Sequence, residues 1–310
     1  MPHEEHWDHF WRHTHAAGSA QGAGAQDPAL GRFWHTVFTT HGKAGGSLLD
    51  LASGDGAVTG FAVHAASRPY HHLALDYSSS ALMELRAKYP DCHCVVADAG
   101  APPFLEQSLD LVCSQFGAEY AGEDALLEAG NLVGPGGKLV LVIHMHGGAI
   151  YKECKQSLRA ITEIQRSQLL PTARGAFQAA YAARAGHAGS NEALGAYTAA
   201  MRGLEQQLGR LGADVATGLP RQIYVDLRQM YANLSAYAPE DIYSWIDRMI
   251  VEVEAFRGRM TSMNRAAMDR RSFDALVARF SSRGLKPRIR REIKFNSGRA
   301  GAWSLLVERI

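Results

Sequence analysis

The chain has few cysteines and no long hydrophobic run. Its 310 residues include four cysteines, with neither a paired C-x-x-C spacing nor the density of a secreted disulfide scaffold. No segment approaches the ~20 apolar residues of a membrane span. The N-terminus "MPHEEHWDHFWRHTHAAG" lacks the basic start and apolar run of a signal peptide. These absences predict a soluble protein of the cytoplasm.

An excess of charge of one sign is also missing. The chain has 32 lysines and arginines against 31 aspartates and glutamates, a formal charge of +1. Nucleic-acid binding usually draws on a strong basic excess, so the sequence gives no global electrostatic reason to expect that partner. The 46% hydrophobic and 20% charged composition is that of an ordinary globular protein with enough residues to bury a core.

A third glycine is missing where a dinucleotide-binding turn would have one. The stretch "LLDLASGDGAVTG", residues 48–60, reads as a strand, a glycine turn and the start of a helix. The dinucleotide fingerprint is G-x-G-x-x-G. Here Gly54 and Gly56 are followed by Thr59 at the third place, and Gly60 comes one residue late. The turn therefore predicts a bound ligand other than NAD.

Short apolar runs alternate with helical segments from Ser47 to His144, a pattern typical of a parallel sheet wrapped by helices. Helices are predicted over residues 58–66, 79–88 and 124–132, and "GPGG", residues 134–137, is predicted as a turn before the fifth strand. The five predicted strands are "SLLDLA", "HHLALD", "CHCVVAD", "LDLVCSQ" and "GKLVLVIH".

The strand pattern stops after the fifth strand and returns near the end of the chain. Residues 149–270 are alanine-rich, charged and helical in pattern, which predicts an all-helical insertion. The last residues predict a helix and two strands, "KPRIRREIKF" and "AWSLLVERI", joined by the short turn "NSGRAG". Strands joined so closely are antiparallel neighbours, so one strand of an otherwise parallel seven-stranded sheet must be reversed. Residues 1–46 are predicted as an N-terminal helical cap.

Acidic residues follow the first three predicted strands. Asp50 precedes the glycine turn, Asp76 ends the second strand and Asp98 ends the third. Ligands of open parallel sheets lie at the carboxyl ends of the strands. A carboxylate at the second position is suited to accept hydrogen bonds from ribose hydroxyls. Two alternatives remain open. Asp76 could instead cap the following helix, and Asp98 could stabilise its own loop without binding a ligand.

These strand ends, the "GPGG" turn and the final hairpin resemble those of the class I S-adenosylmethionine-dependent methyltransferases. The resemblance covers Ser47 to about His144 and resumes from Ser272 to Ile310, where the hairpin is similar to the reversed seventh strand of that Rossmann-like fold. It implies an α/β S-adenosylmethionine-binding domain over residues 47–148 and 271–310, with residues 149–270 as a substrate lid. The family commonly has glycine where Ala52 stands.

The resemblance also implies a cofactor site. Asp50, Ala52, Ser53, Gly54 and Gly56 match the first motif, near the methionine part of S-adenosyl-L-methionine. The other matched positions are Asp76 at the ribose, Tyr77 beside the adenine, Asp98 and Ala99 at the adenine amino group, and Ser114, Gln115 and Phe116 under the methionine moiety.

The mechanism that the resemblance implies is in-line displacement of the sulfonium methyl group, governed mainly by proximity and alignment. The candidate catalytic residues are Glu119 and Tyr120 after the fourth strand and His144 at the end of the fifth, where His144 would act as a base or orient the acceptor. Glu119 and Tyr120 could equally form a surface helix entry. No metal is expected, because His6, His9 and His13 lie at helical spacing without a matching acid or cysteine.

The sequence leaves several functions open. A methyltransferase that acts on a small molecule is favoured. The long helices of the insertion would also suit the interface of a homodimer. An RNA or protein methyltransferase is a second possibility, although the chain has "SQFG" where amino-group methylators usually show N-P-P-Y or D-P-P-Y. The sequence also admits a NAD(P)-dependent oxidoreductase and a non-catalytic cofactor-binding assembly protein.

Overall fold

The chain folds into two compact units. The computed structural model describes residues 6–12, 27–43, 45–65, 70–211 and 218–310. Residues 1–152 with 262–310 form one unit, named here the sheet unit, and residues 153–261 form the other, the helical unit. Of the predicted N-terminal cap, residues 6–12 are helical, and His13 lies outside the described residues.

A seven-stranded sheet forms the centre of the sheet unit. Its spatial order is β3-β2-β1-β4-β5-β7-β6. The first five strands are parallel, and β7 runs antiparallel to both β5 and β6. The predicted fold class is confirmed, including the reversed strand. The strands are β1 Ser47–Leu51, β2 His71–Asp76, β3 His93–Val96, β4 Leu109–Gln115, β5 Val133–His144, β6 Leu285–Lys294 and β7 Ala300–Arg309.

Ten longer helices accompany the sheet in the described residues. The three helices predicted between the strands are found within one residue of their predicted bounds, as α2, α3 and α4. In chain order the helices are α1 Pro28–Thr40, α2 Ala57–Ala65, α3 Ser79–Lys88, α4 Glu123–Asn131, α5 Ala149–Arg166, α6 Leu169–Arg184, α7 Asn191–Leu211, α8 Leu219–Ala232, α9 Pro239–Ala266 and α10 Arg270–Ser282.

The "GPGG" segment is part of β5 rather than a turn before it. Leu109 of β4 pairs with Val133, and the next paired residue, Leu111, is opposite Lys138. The residues between Val133 and Lys138 therefore bulge out of the ladder. A β-carbon on Gly134 would come within 2.8 Å of the Gln107 carbonyl oxygen. Glycine permits this close backbone approach, so its role here is in a bulge.

Aromatic stacking closes the core of the sheet unit. Phe273 of α10 stacks on Trp303 of β7 with ring centroids 4.6 Å apart and planes at 10°. The indole N–H of Trp303 donates to the Met268 carbonyl at 2.8 Å, so the buried polar atom is satisfied. Both rings are buried with the apolar residues of β1, β4 and β5. This packing fixes the reversed strand against the last helix.

The helical unit has an apolar core of its own. Phe177 is fully buried and contacts Tyr231 at 5.5 Å and Tyr197 at 6.2 Å between ring centroids. The Tyr181 hydroxyl donates to the Tyr237 carbonyl at 2.9 Å. The described residues of this unit hold helices and no strand. Among the described helices of both units, none has the length and hydropathy that a membrane span requires.

Candidate active site

The loop after β1 has a backbone that depends on glycine. Gly54 and Gly56 have φ angles of 54° and 89°, and Ala52 lies at 54° in the same left-handed region. A β-carbon on Gly54 would come within 2.8 Å of the Trp11 ring, and one on Gly117 would come within 2.6 Å of the Ala52 β-carbon. The loops after β1 and β4 therefore pack so closely that larger side chains do not fit.

Asp50 is buried and holds this loop to the next helix. Its Oδ2 accepts hydrogen bonds from the Thr59 backbone N–H at 2.9 Å and from the Thr59 hydroxyl at 2.8 Å. Burial raises the pKa of Asp50 to about 7, partly opposed by these two bonds. The carboxyl thus joins β1 to α2. Its predicted place near the methionine part of a cofactor stays a prediction.

Asp76 ends β2 and binds the same loop from the neighbouring strand. Its Oδ2 accepts from the Gly54 N–H and its Oδ1 from the Ser78 N–H, both at 2.8 Å. Helix α3 is capped by Ser78, whose hydroxyl accepts from the Ala81 N–H at 3.3 Å. The alternative that Asp76 caps this helix is therefore wrong. Burial raises the pKa of Asp76, opposed by the backbone N–H groups that it accepts from.

Two other predicted cofactor positions, after β2 and β3, are more exposed to solvent than Asp50 and Asp76. Tyr77 is 55% exposed. Asp98 is exposed, and its Oδ1 accepts from the Gly100 N–H at 2.7 Å, so this carboxylate does stabilise its own loop. Ala99 packs against the edge of the core. One oxygen of Asp98 is thus committed to the loop, and an adenine contact remains a prediction.

The segment after β4 is held by contacts to distant parts of the sheet unit. The Ser114 hydroxyl accepts from the Ala118 N–H at 3.1 Å. The Gln115 side-chain oxygen accepts from the Trp34 indole N–H of α1 at 2.6 Å, a tie that the sequence did not indicate. Phe116 has a φ of 54°, which is unusual for a bulky residue and turns the chain sharply at the strand end.

Glu119 and His144 form a buried pair at the ends of β4 and β5. The His144 Nδ1 lies 2.8 Å from the Glu119 Oε1, and the His144 backbone N–H donates to the same oxygen at 3.1 Å. Glu119 is 5% and His144 is 1% exposed. The alternative of a surface helix entry is therefore wrong for Glu119. Its carboxylate fixes both the strand end and the imidazole ring.

Aromatic rings surround this pair. The Phe116 ring centroid lies 4.4 Å from that of His144, and the Tyr120 centroid lies 5.7 Å away. Trp7 contacts Tyr120 in turn, with centroids 5.2 Å apart. His146, two residues further along the strand direction, is exposed and packs on Tyr151 instead. The structure thus brings all three predicted catalytic residues together and leaves His146 outside.

The N-terminal helical segment, residues 6–12, contacts both halves of this region. The Ser78 hydroxyl donates to the Asp8 carboxylate at 2.9 Å, and Asp8 also pairs with Arg12. Trp11 lies against Gly54 and Trp7 against Tyr120. The tryptophan and phenylalanine residues of this segment indicate from the sequence that it packs down, whereas the partners Ser78, Gly54 and Tyr120 were not predicted.

The carboxyl ends of β1 to β3 carry acidic side chains. Asp50, Asp76 and Asp98 lie there, and the Asp8 carboxylate adds to the raised pKa of Asp76. Two described cations nearby are paired, Lys88 with Asp55 at 2.6 Å and Arg12 with Asp8. Such an edge favours a ligand that carries positive charge over a pyrophosphate. No group of three potential metal ligands occurs among the described residues.

Comparison with known proteins agrees with this geometry. The family model described as a methyltransferase domain matches residues 49–141, which contain most of β1, all of β2 to β4 and most of β5. Residues 49–141 therefore match a methyltransferase domain, which supports the class I S-adenosylmethionine-dependent methyltransferase family that the sequence predicted. The prediction of that family is confirmed.

Relatives of this methyltransferase domain each match about a third of the chain. An uncharacterized methyltransferase of Schizosaccharomyces pombe, C25B8.09, is 33% identical over 115 residues, and the match covers 36% of this chain and 45% of that protein. A demethylmenaquinone methyltransferase of Renibacterium salmoninarum is 34% identical over 109 residues, and the match covers 33% of this chain and 43% of that protein. The chain thus spans under half the length of these relatives.

Among solved structures, a similar chain is the S-adenosylmethionine-dependent methyltransferase of Mesorhizobium loti. It is 25% identical, with a TM-score of 0.29, and the match covers 33% of this chain and 48% of that one.

Proposed function

We propose that the protein transfers the methyl group of S-adenosyl-L-methionine to a nucleophilic atom of a small molecule. The observation that carries this proposal is the glycine loop bound by Asp76 within the methyltransferase domain of residues 49–141. The carboxylate holds the loop through Gly54 and still has lone pairs that ribose hydroxyls can use. The acidic strand ends suit a cofactor that carries an ammonium and a sulfonium group.

The residues of the loop and of the neighbouring strand ends would hold the cofactor. We propose that the backbone of Ala52, Ser53, Gly54 and Gly56 faces the methionine part. When bound, the cofactor supplies an electrophilic methyl group on positively charged sulfur. The remaining proposed contacts are Asp76 and Tyr77 for the nucleoside, Asp98 and Ala99 for the adenine, and Ser114, Gln115 and Phe116 near the methionine part, with Asp50 supporting the loop.

The acceptor side of the proposed site is formed by β4 and β5. These strands lie next to one another, and β4 neighbours β1, so the acceptor would lie beside the glycine loop. His144 is proposed as the base, because Glu119 accepts from its Nδ1 and leaves Nε2 for a proton from the acceptor. Tyr120 is proposed to position the acceptor through its ring.

The helical unit is proposed to contribute substrate selection. This proposal is supported by the separate apolar core around Phe177. The predicted cofactor residues all lie in the sheet unit, so this core is available for another role. A lid over the acceptor and a homodimer through these helices are parts of the same proposal. Light scattering of the purified protein tests the dimer.

The competing functions have less support. An oxidoreductase would need phosphate-binding features at the β1 loop, where this chain has Thr59 bound to Asp50 and acidic side chains nearby. RNA methylation would draw on unpaired basic side chains, whereas Arg12 and Lys88 are paired with the carboxylates of Asp8 and Asp55. A non-catalytic role would not use the buried pair of His144 and Glu119.

A thermal-shift titration tests the proposed cofactor. S-adenosylmethionine and S-adenosylhomocysteine are each expected to raise the melting temperature, because a ligand at 100 times its Kd stabilises the folded state by about 2.7 kcal/mol. NADPH at the same concentration is the matched comparison and is expected to have no effect. Stabilisation by NADPH alone would replace the methyltransferase proposal with an oxidoreductase.

A further inference from the structure

His144 has a buried ring nitrogen without a hydrogen bond. Its Nδ1 is bound by Glu119 at 2.8 Å, whereas Nε2 is shielded from solvent and has no hydrogen-bond partner among the described residues. Beside an ionised carboxylate, which only accepts, a neutral imidazole carries its proton on Nδ1 and presents the lone pair of Nε2. Leaving a buried acceptor unsatisfied is costly. A ligand that donates a hydrogen bond to Nε2 would recover that free energy.

The surroundings of Nε2 favour a flat, apolar ligand. The rings of Phe116 and Tyr120 contact the imidazole, and Trp7 contacts Tyr120. The indole N–H of Trp7 is also buried and has no hydrogen-bond partner in the described part of the chain. This aromatic cluster therefore contains one unused acceptor and one unused donor. A hydroxyl group on an aromatic ring complements either kind of atom, because its oxygen both donates and accepts.

We infer that the methyl acceptor is an aromatic hydroxyl compound, methylated on oxygen with His144 as the base; this inference rests on the proposed function. A phenol has a pKa near 10, like tyrosine, and so enters a neutral site with its proton in place. A thiol, with a pKa near 8.5, supplies its anion more readily and has less need of a base. An aromatic amine already has a lone pair for attack, so its proton can leave after the transfer.

The reaction balances with the groups named. The hydroxyl proton passes to the His144 Nε2 while the oxygen forms a bond to the methyl carbon of the sulfonium donor. The carbon–sulfur electron pair remains on sulfur, which becomes a neutral thioether. The imidazolium formed on His144 faces the Glu119 carboxylate, so the positive charge is compensated inside the buried pair. The proton then leaves to solvent when the product departs.

Matched acceptors test the choice of atom. The full-length protein with S-adenosylmethionine is incubated with 1-naphthol, 2-naphthol and 4-phenylphenol, and with the amino and thiol analogue of each, and methylated products are measured by mass spectrometry. The hydroxyl compounds are expected to be methylated at least about 10-fold faster than both analogues. Faster methylation of an amine or a thiol, or no methylation of any hydroxyl compound by protein that binds S-adenosylhomocysteine, would overturn the inference.

Two variants test the pair, with His146→Gln as the matched control. His144→Gln is expected to lower kcat for the naphthols by about 100-fold or more, since general-base catalysis contributes roughly 10²–10⁴-fold. Glu119→Gln keeps an acceptor for Nδ1 but removes the charge, so the rising limb of the pH–rate profile is expected to move to lower pH. The pH–rate profile thus tests Glu119 as a positioning residue, because a loss of packing alone would not shift the rising limb.

Binding of S-adenosylhomocysteine, measured by calorimetry for every variant, separates the two proposals. Unchanged binding with lost naphthol methylation in His144→Gln supports the inference. Full activity of His144→Gln, or an unmoved profile in Glu119→Gln, would overturn it while the methyltransferase proposal stands. Absence of S-adenosylhomocysteine binding in the unmodified protein would instead contradict the proposed function itself.

Discussion

His144 and Glu119 connect the ends of two neighbouring parallel strands through one buried oxygen. The Glu119 Oε1 accepts from the His144 ring at 2.8 Å and from the His144 backbone at 3.1 Å. A single carboxylate therefore sets the position of the strand end, the orientation of the ring and its tautomer. The pair exists because β4 and β5 are adjacent in the sheet, and its geometry does not depend on an exposed loop.

Ala52→Gly is expected to stabilise the protein. Ala52 has a φ of 54°, where a β-carbon costs about 1–2 kcal/mol, and the greater freedom of glycine in the unfolded chain offsets part of the gain. A net rise of about 2 °C in melting temperature is expected by scanning calorimetry. The control is Ala62→Gly, a buried position inside α2, which should lower the stability by about 1 kcal/mol. Equal losses in both variants would show that Ala52 is not strained.

Asp50 is expected to make stability depend on pH. Its pKa is raised from 3.8 to about 7 in the folded protein, so the folded state binds a proton that the unfolded state has released. The carboxyl therefore costs stability progressively as the pH rises from about 4 to about 7, by up to about 4 kcal/mol. His72, whose pKa burial lowers, acts in the opposite direction.

Asp50→Asn isolates this effect, because asparagine keeps an acceptor for Thr59 without a charge. The variant is expected to be closest to the unmodified protein near pH 4 and to gain relative stability up to about pH 7, as measured by melting temperatures across that range. A difference between the two proteins that does not vary with pH would mean that Asp50 does not titrate there.

Phe177→Ala is expected to weaken the helical unit without affecting cofactor binding. Removing this buried ring should cost the unit about 3–5 kcal/mol. Because the cofactor positions belong to the sheet unit, the Kd for S-adenosylhomocysteine should change less than about 2-fold. Phe273→Ala, which removes the ring stacked on Trp303, is the matched change in the sheet unit and should impair both stability and binding. Equal loss of binding in both variants would show that the helical unit shapes the cofactor site.

The sequence predicted the strands and the helices between them because each has a local periodic signal. Helix α3 was predicted with its observed bounds, since Ser78 is a good cap and the apolar residues follow at helical spacing. The "GPGG" bulge was misread because glycine and proline mark bulges and turns alike. Only pairing of Val133 with Leu109 distinguishes the two.

The candidate site was predictable in its positions but not in its contacts. Strand-end residues meet at one sheet edge by topology, so Asp76, Glu119 and His144 could be selected from the sequence. The bonds of Gln115 to Trp34 and of Ser78 to Asp8 join residues 81 and 70 positions apart, and no local pattern reports them. Likewise, burial of Glu119 follows from packing that a single sequence does not display.

Titration of S-adenosylhomocysteine into Asp76→Asn is the sharpest test of the proposed cofactor site. Asparagine retains one oxygen for the Gly54 or Ser78 N–H but loses the charge and an acceptor needed for ribose, so calorimetry should show binding at least about 10-fold weaker than in the unmodified protein. Asp110→Asn is the control, because this carboxylate also accepts a backbone N–H, that of Ser47 at 2.9 Å, but at the opposite ends of the strands. Weaker binding in Asp76→Asn alone is the expected outcome, and equal affinity in Asp76→Asn and the unmodified protein would show that the cofactor does not bind at this strand end.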